Sequence, residues 1–210
     1  MDALSLLKAD HKTVEALFKR FEKLSGNGTS GKKKLVQQII KELSIHAAIE
    51  EQIFYPAVRK LVKSSEDEIL EALEEHHLVK WTLDELDGMN PSAERYDAKV
   101  AVLIHNVRLH VHEEEMELFP KVRKAIEKRQ LDALGEALAA AKKTAPTHPH
   151  PRAPDTPPAN MAIGAGASIV DRVRDAGKGF MERVSSSARK RTARAANGRR
   201  ANGRSHANHG

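Results

Sequence analysis

Apolar residues recur every three or four positions through most of the first 142 residues of this 210-residue chain, the period of a helix with one face turned to a core. The first such stretch runs from about residue 2 to 24, with Leu6, Leu7, Val14, Leu17, Phe18 and Phe21 on one side, and SGNGTSG at 25–31 interrupts it. A second runs from about 32 to 63 through Leu35, Ile39, Leu43, Ile45 and Ile49. A third starts after Ser65, a candidate cap followed by Glu66, Asp67 and Glu68, which suit the positive end of a helix. It continues through Leu70, Leu73, Val79, Leu83 and Leu86 to a stop at DGMN. Asn90 and Pro91 read as cap and first-turn proline of a fourth helix from about 92 to 128, with a short one over LDALGEALAAAKK. No segment of this half alternates at period two. Short loops between long amphipathic helices predict an all-α fold, an up-down antiparallel four-helix bundle.

Past Lys143 the pattern stops. PTHPHPRAPDTPP predicts an extended proline-rich linker over 143–160. Residues 161–210 are basic and low in complexity, the composition of a disordered tail. Within them 161–184 spaces Ile163, Val170, Val173, Phe180 and Val184 at helical intervals, but four glycines weaken that helix by about 1 kcal/mol each.

Charge divides at the same place. Residues 1–142 hold 22 Lys/Arg against 25 Asp/Glu, a balance of −3, whereas 143–210 hold 13 against 4, a balance of +9. The basic character therefore belongs to the tail, whose expected partners are nucleic acid, through phosphate contacts, or an anionic membrane surface. A solvated extension without a partner is the plain alternative. The chain has no cysteine, which excludes disulfides, thiolate metal sites and cysteine nucleophiles. MDALSLLKADHK lacks the features of a secretory signal, and no window reaches the ~18 apolar residues of a membrane span. The cytoplasm is the expected compartment.

Candidate chemistry lies in a repeat. HAAIEEQIFYP at 46–56 and HVHEEEMELFP at 110–120 align on Pro56 and Pro120, which matches His46 to His110, Glu50 to Glu114 and Glu51 to Glu115. Upstream, Asp10-His11 falls opposite Glu75-His76, so the chain reads as two helical hairpins of one design. On an α-helix, residues four apart lie about 40° apart on one face, so His46 and Glu50 can meet one ion, as can His110 and Glu114. On the same wheel Glu51 and Glu115 lie about 140° away, and His112 points elsewhere. Glu113 and Glu117 read as solvated. Glu51 and Glu115 read as solvated or else as hydrogen-bond partners of the histidines or alternative ligands, and Asp10 and Glu75 as hydrogen-bond partners of the histidines, caps or solvated residues. Trp81 and the phenylalanines read as core, and His105, His112 and the tail histidines as solvent residues. A buried carboxylate needs a cation to offset its desolvation. Imidazole and carboxylate donors suit iron, manganese or zinc, and two carboxylates able to bridge suit a pair of ions. Pro56 and Pro120 predict kinks.

These residues resemble the hemerythrin-like HHE cation-binding domains over about residues 1–142. The resemblance implies a four-helix bundle holding a non-haem di-iron centre, with oxygen, nitric oxide or cellular iron as ligand or signal. His11, His46, Glu50, His76, His110 and Glu114 match the family's motif positions. One position departs: oxygen carriers have a second histidine four residues after the third-helix histidine, and here that residue is Lys80. This puts oxygen storage in doubt and implies a more open or more reactive iron. His77 would replace His76 were the helix rotated by about 100°, although the repeat favours His76. The role expected is binding or sensing a small ligand at iron. The alternatives are a di-iron enzyme acting on peroxide or nitric oxide or donating iron for cluster repair, and a structural bundle whose tail does the work.

Overall fold

Among the described residues each of the four longest helices carries a buried histidine between two apolar runs, and that arrangement positions everything else. The computed structural model describes residues 1–24 and 29–152. Its helices are α1 (Ala3–Lys23), α2 (Thr29–Ile49), α3 (Tyr55–Leu61), α4 (Glu66–Gly88), α5 (Tyr96–Glu113), α6 (Phe119–Ala125) and α7 (Lys128–Lys142). A π-helical turn, Glu50–Phe54, joins α2 to α3, and another, Glu114–Leu118, joins α5 to α6. Each of these pairs is one long arm, so α1, α2–α3, α4 and α5–α6 make an up-down four-helix bundle. Among the described residues there is no strand.

The core has two lobes. One gathers Leu4, Leu7, Phe54, Tyr55, Phe119, Leu134 and Leu138, and the other Phe18, Phe21, Ile39, Ile40, Leu83, Tyr96 and Val107. Along α1 the order is Leu7, His11, Val14, and along α4 it is Leu73, His76, Val79, from the first lobe to the second. Along α2 the order is Leu43, His46, Ile49, and along α5 it is Val107, His110, then Leu118, from the second lobe to the first. The antiparallel arrangement is the one that puts all four histidines in the same layer. Each fully buried Leu or Phe contributes about 1.5–3 kcal/mol, so the two lobes hold together a layer whose own polar groups oppose burial.

The prolines act by a route other than a simple kink. Tyr55 N donates to Glu50 O and Phe119 N to Glu114 O, the five-residue step of a π turn. A proline ring clashes with the carbonyl four residues back in a regular helix. The widened turn ahead of Pro56 and of Pro120 removes that conflict, and a regular α-helix resumes with the proline in its first turn.

Three local expectations change. Ser65 stands before α4 without a capping bond to it, because its Oγ donates to Val62 O at 2.7 Å. Asn90 caps a turn and not a helix: Oδ1 accepts from Ser92 N at 2.9 Å, and α5 starts only at Tyr96. Trp81 and Leu70 are not core, being 38% and 45% exposed. Ile69 takes the inward place beside Leu70, and Trp81 lies on the outer face of α4, where its indole N–H donates to His77 Nε2 at 3.0 Å.

α7 packs against α1 and α2. Contact with the start of α1 is closest at Gly135, where a Cβ would lie 2.3 Å from Met1 O and 2.8 Å from Asp2 C. Beyond α7, Pro149 and Pro151 are buried and the Arg152 guanidinium lies 5.7 Å from the Trp81 ring centre. Most of the SGNGTSG break, the rest of the proline-rich stretch and the amphipathic segment 161–184 lie outside the described residues.

Candidate metal centre

The six residues matched by repeat and spacing converge. His11, His46, Glu50 and Glu114 offer ligand atoms within 4.8 Å of one another, and so do Glu50, His76 and His110. Glu50 belongs to both groups. All six are buried, Glu50 completely. His77 stays outside, half-buried beside Trp81, and His105 and His112 are exposed.

Each histidine turns Nε2 inward. The inner distances are His46 Nε2–Glu50 Oε2 3.1 Å, His11 Nε2–Glu114 Oε2 3.3 Å, His76 Nε2–Glu50 Oε2 3.5 Å and His110 Nε2–Glu114 Oε2 3.6 Å. His76 Nε2 and His110 Nε2 face each other at 3.2 Å, where at most one can carry a proton for the other. Tyr55 Oη donates to Glu114 Oε1 at 2.9 Å. His11 Nε2, His46 Nε2, both Glu50 oxygens and Glu114 Oε2 have no hydrogen-bond partner among the described residues.

Each outer nitrogen faces a carboxylate, and the repeat reappears in space. His11 Nδ1 meets Glu115 Oε1 at 2.8 Å, and its counterpart His76 Nδ1 meets Glu51 Oε1 at 3.2 Å. His110 Nδ1 meets Glu75 Oε2 at 2.7 Å, whereas its counterpart His46 Nδ1 lies 3.8 Å from Asp10 Oδ2. A carboxylate on Nδ1 fixes the tautomer and aims the other nitrogen, an arrangement characteristic of metal-binding histidines. Glu51 and Glu115 reach these places because the π turns break the regular wheel that had put them about 140° away. Tyr55 and Phe119 are also counterparts. Tyr55 packs on His76 with ring centres 5.5 Å apart, and Phe119 stacks on His11 at 5.9 Å.

Lysines hold three of the four outer carboxylates. Lys80, itself buried, places Nζ 2.9 and 3.0 Å from the two oxygens of Glu51. Lys8 lies 3.4 Å from Glu115, and Lys142 of α7 pairs with Asp10. The departure at Lys80 therefore does more than remove a ligand, since the lysine holds the carboxylate that orients His76.

Burial and charge set the protonation of this layer. Burial pushes His46 down to about 4, with His11 and His76 adding to the effect and Asp10 opposing it. His76 is lowered by burial, partly offset by Glu51. At His110 burial is outweighed by Glu114 and Glu75, and its affinity for a proton rises. Glu50 is raised well above the usual carboxylate range by burial and then by Glu114. For Glu114 burial is overcome by His110, His11 and His46, which hold it low. The two central carboxyls are thus pushed in opposite directions. A cation would supply the partner that the unbonded inner atoms lack. Four imidazoles and two carboxylates with no sulfur are donors for iron, manganese or zinc, so the residues fit a metal.

A bundle with buried histidine and carboxylate donors on its inner faces is a helical cation-binding domain. The chain matches the hemerythrin HHE cation-binding domain over residues 2–122, and it belongs to that family. It is 27% identical over 167 residues to an uncharacterised hemerythrin-like protein of Schizosaccharomyces pombe, covering 79% of this chain and 81% of that one. It is 29% identical over 142 residues to a protein of Nostoc named DNA nickase, covering 68% of this chain but only 39% of the relative. The crystal structure of an HHE-domain protein from Mycobacterium kansasii superposes with a TM-score of 0.57 at 26% identity, covering 68% of this chain and 86% of that one. Among the described residues no helix is long and apolar enough to cross a membrane.

Proposed function

We propose that the domain over residues 1–142 holds a non-haem di-iron centre that binds or senses a small ligand such as oxygen, nitric oxide or peroxide. His11, His46, Glu50 and Glu114 would hold one ion, and Glu50, His76 and His110 would hold the other. The observation that carries this reading is the set of buried inner atoms with no hydrogen-bond partner, each histidine among them facing a carboxylate on its outer nitrogen. When bound, iron would supply reversible redox chemistry and an open coordination position. The chain's own residues aim the donors, exclude water and, through Tyr55, donate one hydroxyl hydrogen bond to Glu114. Iron over manganese or zinc rests on the family.

The test is metal analysis of protein purified without a chelating tag, with optical spectra before and after oxygen. About two irons per chain, with charge-transfer bands lost in Glu50→Ala, is the expected result. A folded chain that takes up no ferrous iron under anaerobic loading overturns it.

One observation favours a second reading, turnover by a di-iron enzyme. A cavity of about 520 Å³ between α1 and α5 reaches His11, more room than a diatomic ligand needs and a path for substrate and product. Sustained consumption of hydrogen peroxide by the loaded protein would select this reading, and reversible binding without turnover the first. For residues 143–210 the charge supports contact with nucleic acid or an anionic membrane surface. Loss of salt-sensitive DNA binding on truncation after Arg152, with metal uptake retained, would select nucleic acid.

A further inference from the structure

The surroundings of the centre are not electrically uniform. Lys142, Lys80 and Lys8 stand behind Asp10, Glu51 and Glu115. The 520 Å³ cavity on the α1 side of α5 carries both signs, with Lys12, Lys19 and Arg108 beside Glu15 and Glu115, and Arg108 and Lys19 are paired to Glu15. Only Glu75, the fourth outer carboxylate, has no lysine beside it among the ion pairs of the described residues. It opens instead on a small pocket of about 90 Å³ between α4 and the α5 arm, walled by Glu71, Glu75, Glu113 and Glu117. Lys121 pairs with Glu68 at the rim. The pocket floor is His110 and Glu114. Glu114 is 2% exposed, and its Oε2 has no hydrogen-bond partner. The volume is that of about three water molecules at ~30 Å³ each, enough for a partly hydrated cation.

We infer that this carboxylate-walled pocket is the entry route for divalent cations, in which Glu71 and Glu117 draw the ion from solvent and Glu75 and Glu113 pass it to Glu114 and His110. The inference rests on the metal reading above. A buried centre needs a path along which desolvation is offset stepwise. Clefts lined by one sign of charge raise association rates by about 10- to 1,000-fold, an effect that falls with ionic strength. Glu71 and Glu117 are exposed and touch none of the six inner residues by hydrogen bond or ion pair, so their removal alters the approach and not the destination.

The experiment mixes metal-free full-length protein with Co²⁺ in a stopped-flow instrument and follows the visible bands that appear on coordination, at low and high NaCl. Glu71→Gln/Glu117→Gln is compared with Glu94→Gln/Glu136→Gln, which removes the same charge from exposed positions elsewhere. The pocket variant should load at least tenfold more slowly at low salt, lose most of its salt dependence and reach the wild-type stoichiometry, while the control loads at the wild-type rate. Equal slowing in both variants, or an unchanged rate in the pocket variant, overturns the route and leaves the metal reading intact. A wild-type chain that takes up no Co²⁺ overturns both.

Discussion

Replacing Lys80 by methionine asks how dry the layer around the histidines is. Lys80 and Glu51 are 7% and 6% exposed, and Nζ lies 2.9 and 3.0 Å from the two carboxylate oxygens. Methionine keeps most of the volume and the reach of the side chain while removing the charge. Among the described residues Glu51 is then left with the His76 Nδ1 contact at 3.2 Å and no lysine or arginine. Taking one partner from a buried ion pair costs about 3–5 kcal/mol, mostly because the other charge stays buried. That is a large fraction of the 5–15 kcal/mol typical of a domain. The assay is urea unfolding of the metal-free protein followed by circular dichroism, with Lys80→Met, Glu51→Gln and the double variant completing a cycle. Lys80→Met should lose about 3–5 kcal/mol. The double variant, with no charge left to strand, should recover to within about 1–2 kcal/mol of wild type, since neutral replacements of buried pairs are often tolerated. Metal affinity gives a second readout, because loosening a carboxylate that orients a ligand histidine costs about 10- to 100-fold. A loss below about 1 kcal/mol in Lys80→Met, the value of an exposed pair, would show that water reaches Glu51 and would refute the argument.

Two further outcomes follow from the packing at the start of α1. Gly135→Ala would ordinarily stabilise a helix by about 1 kcal/mol, but here the new Cβ would sit 2.3 Å from Met1 O and 2.9 Å from Ala3 N. Both are backbone atoms, so the midpoint of thermal unfolding should fall, and a rise would refute the close contact of α7 with α1. Asp2 caps α1 by accepting from Ser5 N at 2.8 Å, so Asp2→Ala should cost about 1 kcal/mol at neutral pH. Burial pushes the Asp2 carboxyl up, but the Ser5 contacts and Arg123 outweigh it and hold it below 3.8. A carboxyl lowered by folding stabilises above its unfolded value and loses that contribution as pH falls through the folded one. The stability gap between wild type and Asp2→Ala should therefore close below pH 3.8, and a gap that widens there would refute the cap.

The inner residues were legible because two independent periodicities coincide on them. The helical repeat puts His46 with Glu50 and His110 with Glu114, and the hairpin repeat supplies His11 and His76 as partners. Both signals survive any small error in helix boundaries. The outer carboxylates were only half legible. Asp10 and Glu75 stand next to their paired histidines in sequence, yet each faces the histidine of another helix, His46 and His110, which no single-helix wheel displays. Glu51 and Glu115 match in the repeat but fall on the wrong side of an ideal α-helix, since a π turn is a departure from the period that the wheel assumes. The prolines were the available signal. A proline six residues after a helical glutamate demands some relief in the intervening turn, and a widened turn is a relief that also rotates the next glutamate, Glu51 or Glu115, toward the neighbouring hairpin. Lys80 was legible as an exception to a family pattern, but its work was not, because burial of a lysine is decided by a carboxylate 29 positions away. The acidic pocket was hidden for a similar reason. Glu71, Glu113 and Glu117 look like ordinary solvated positions until α4 and the α5 arm are set side by side, and only then does the absence of a lysine beside Glu75 among the described residues separate that edge of the layer from the other three.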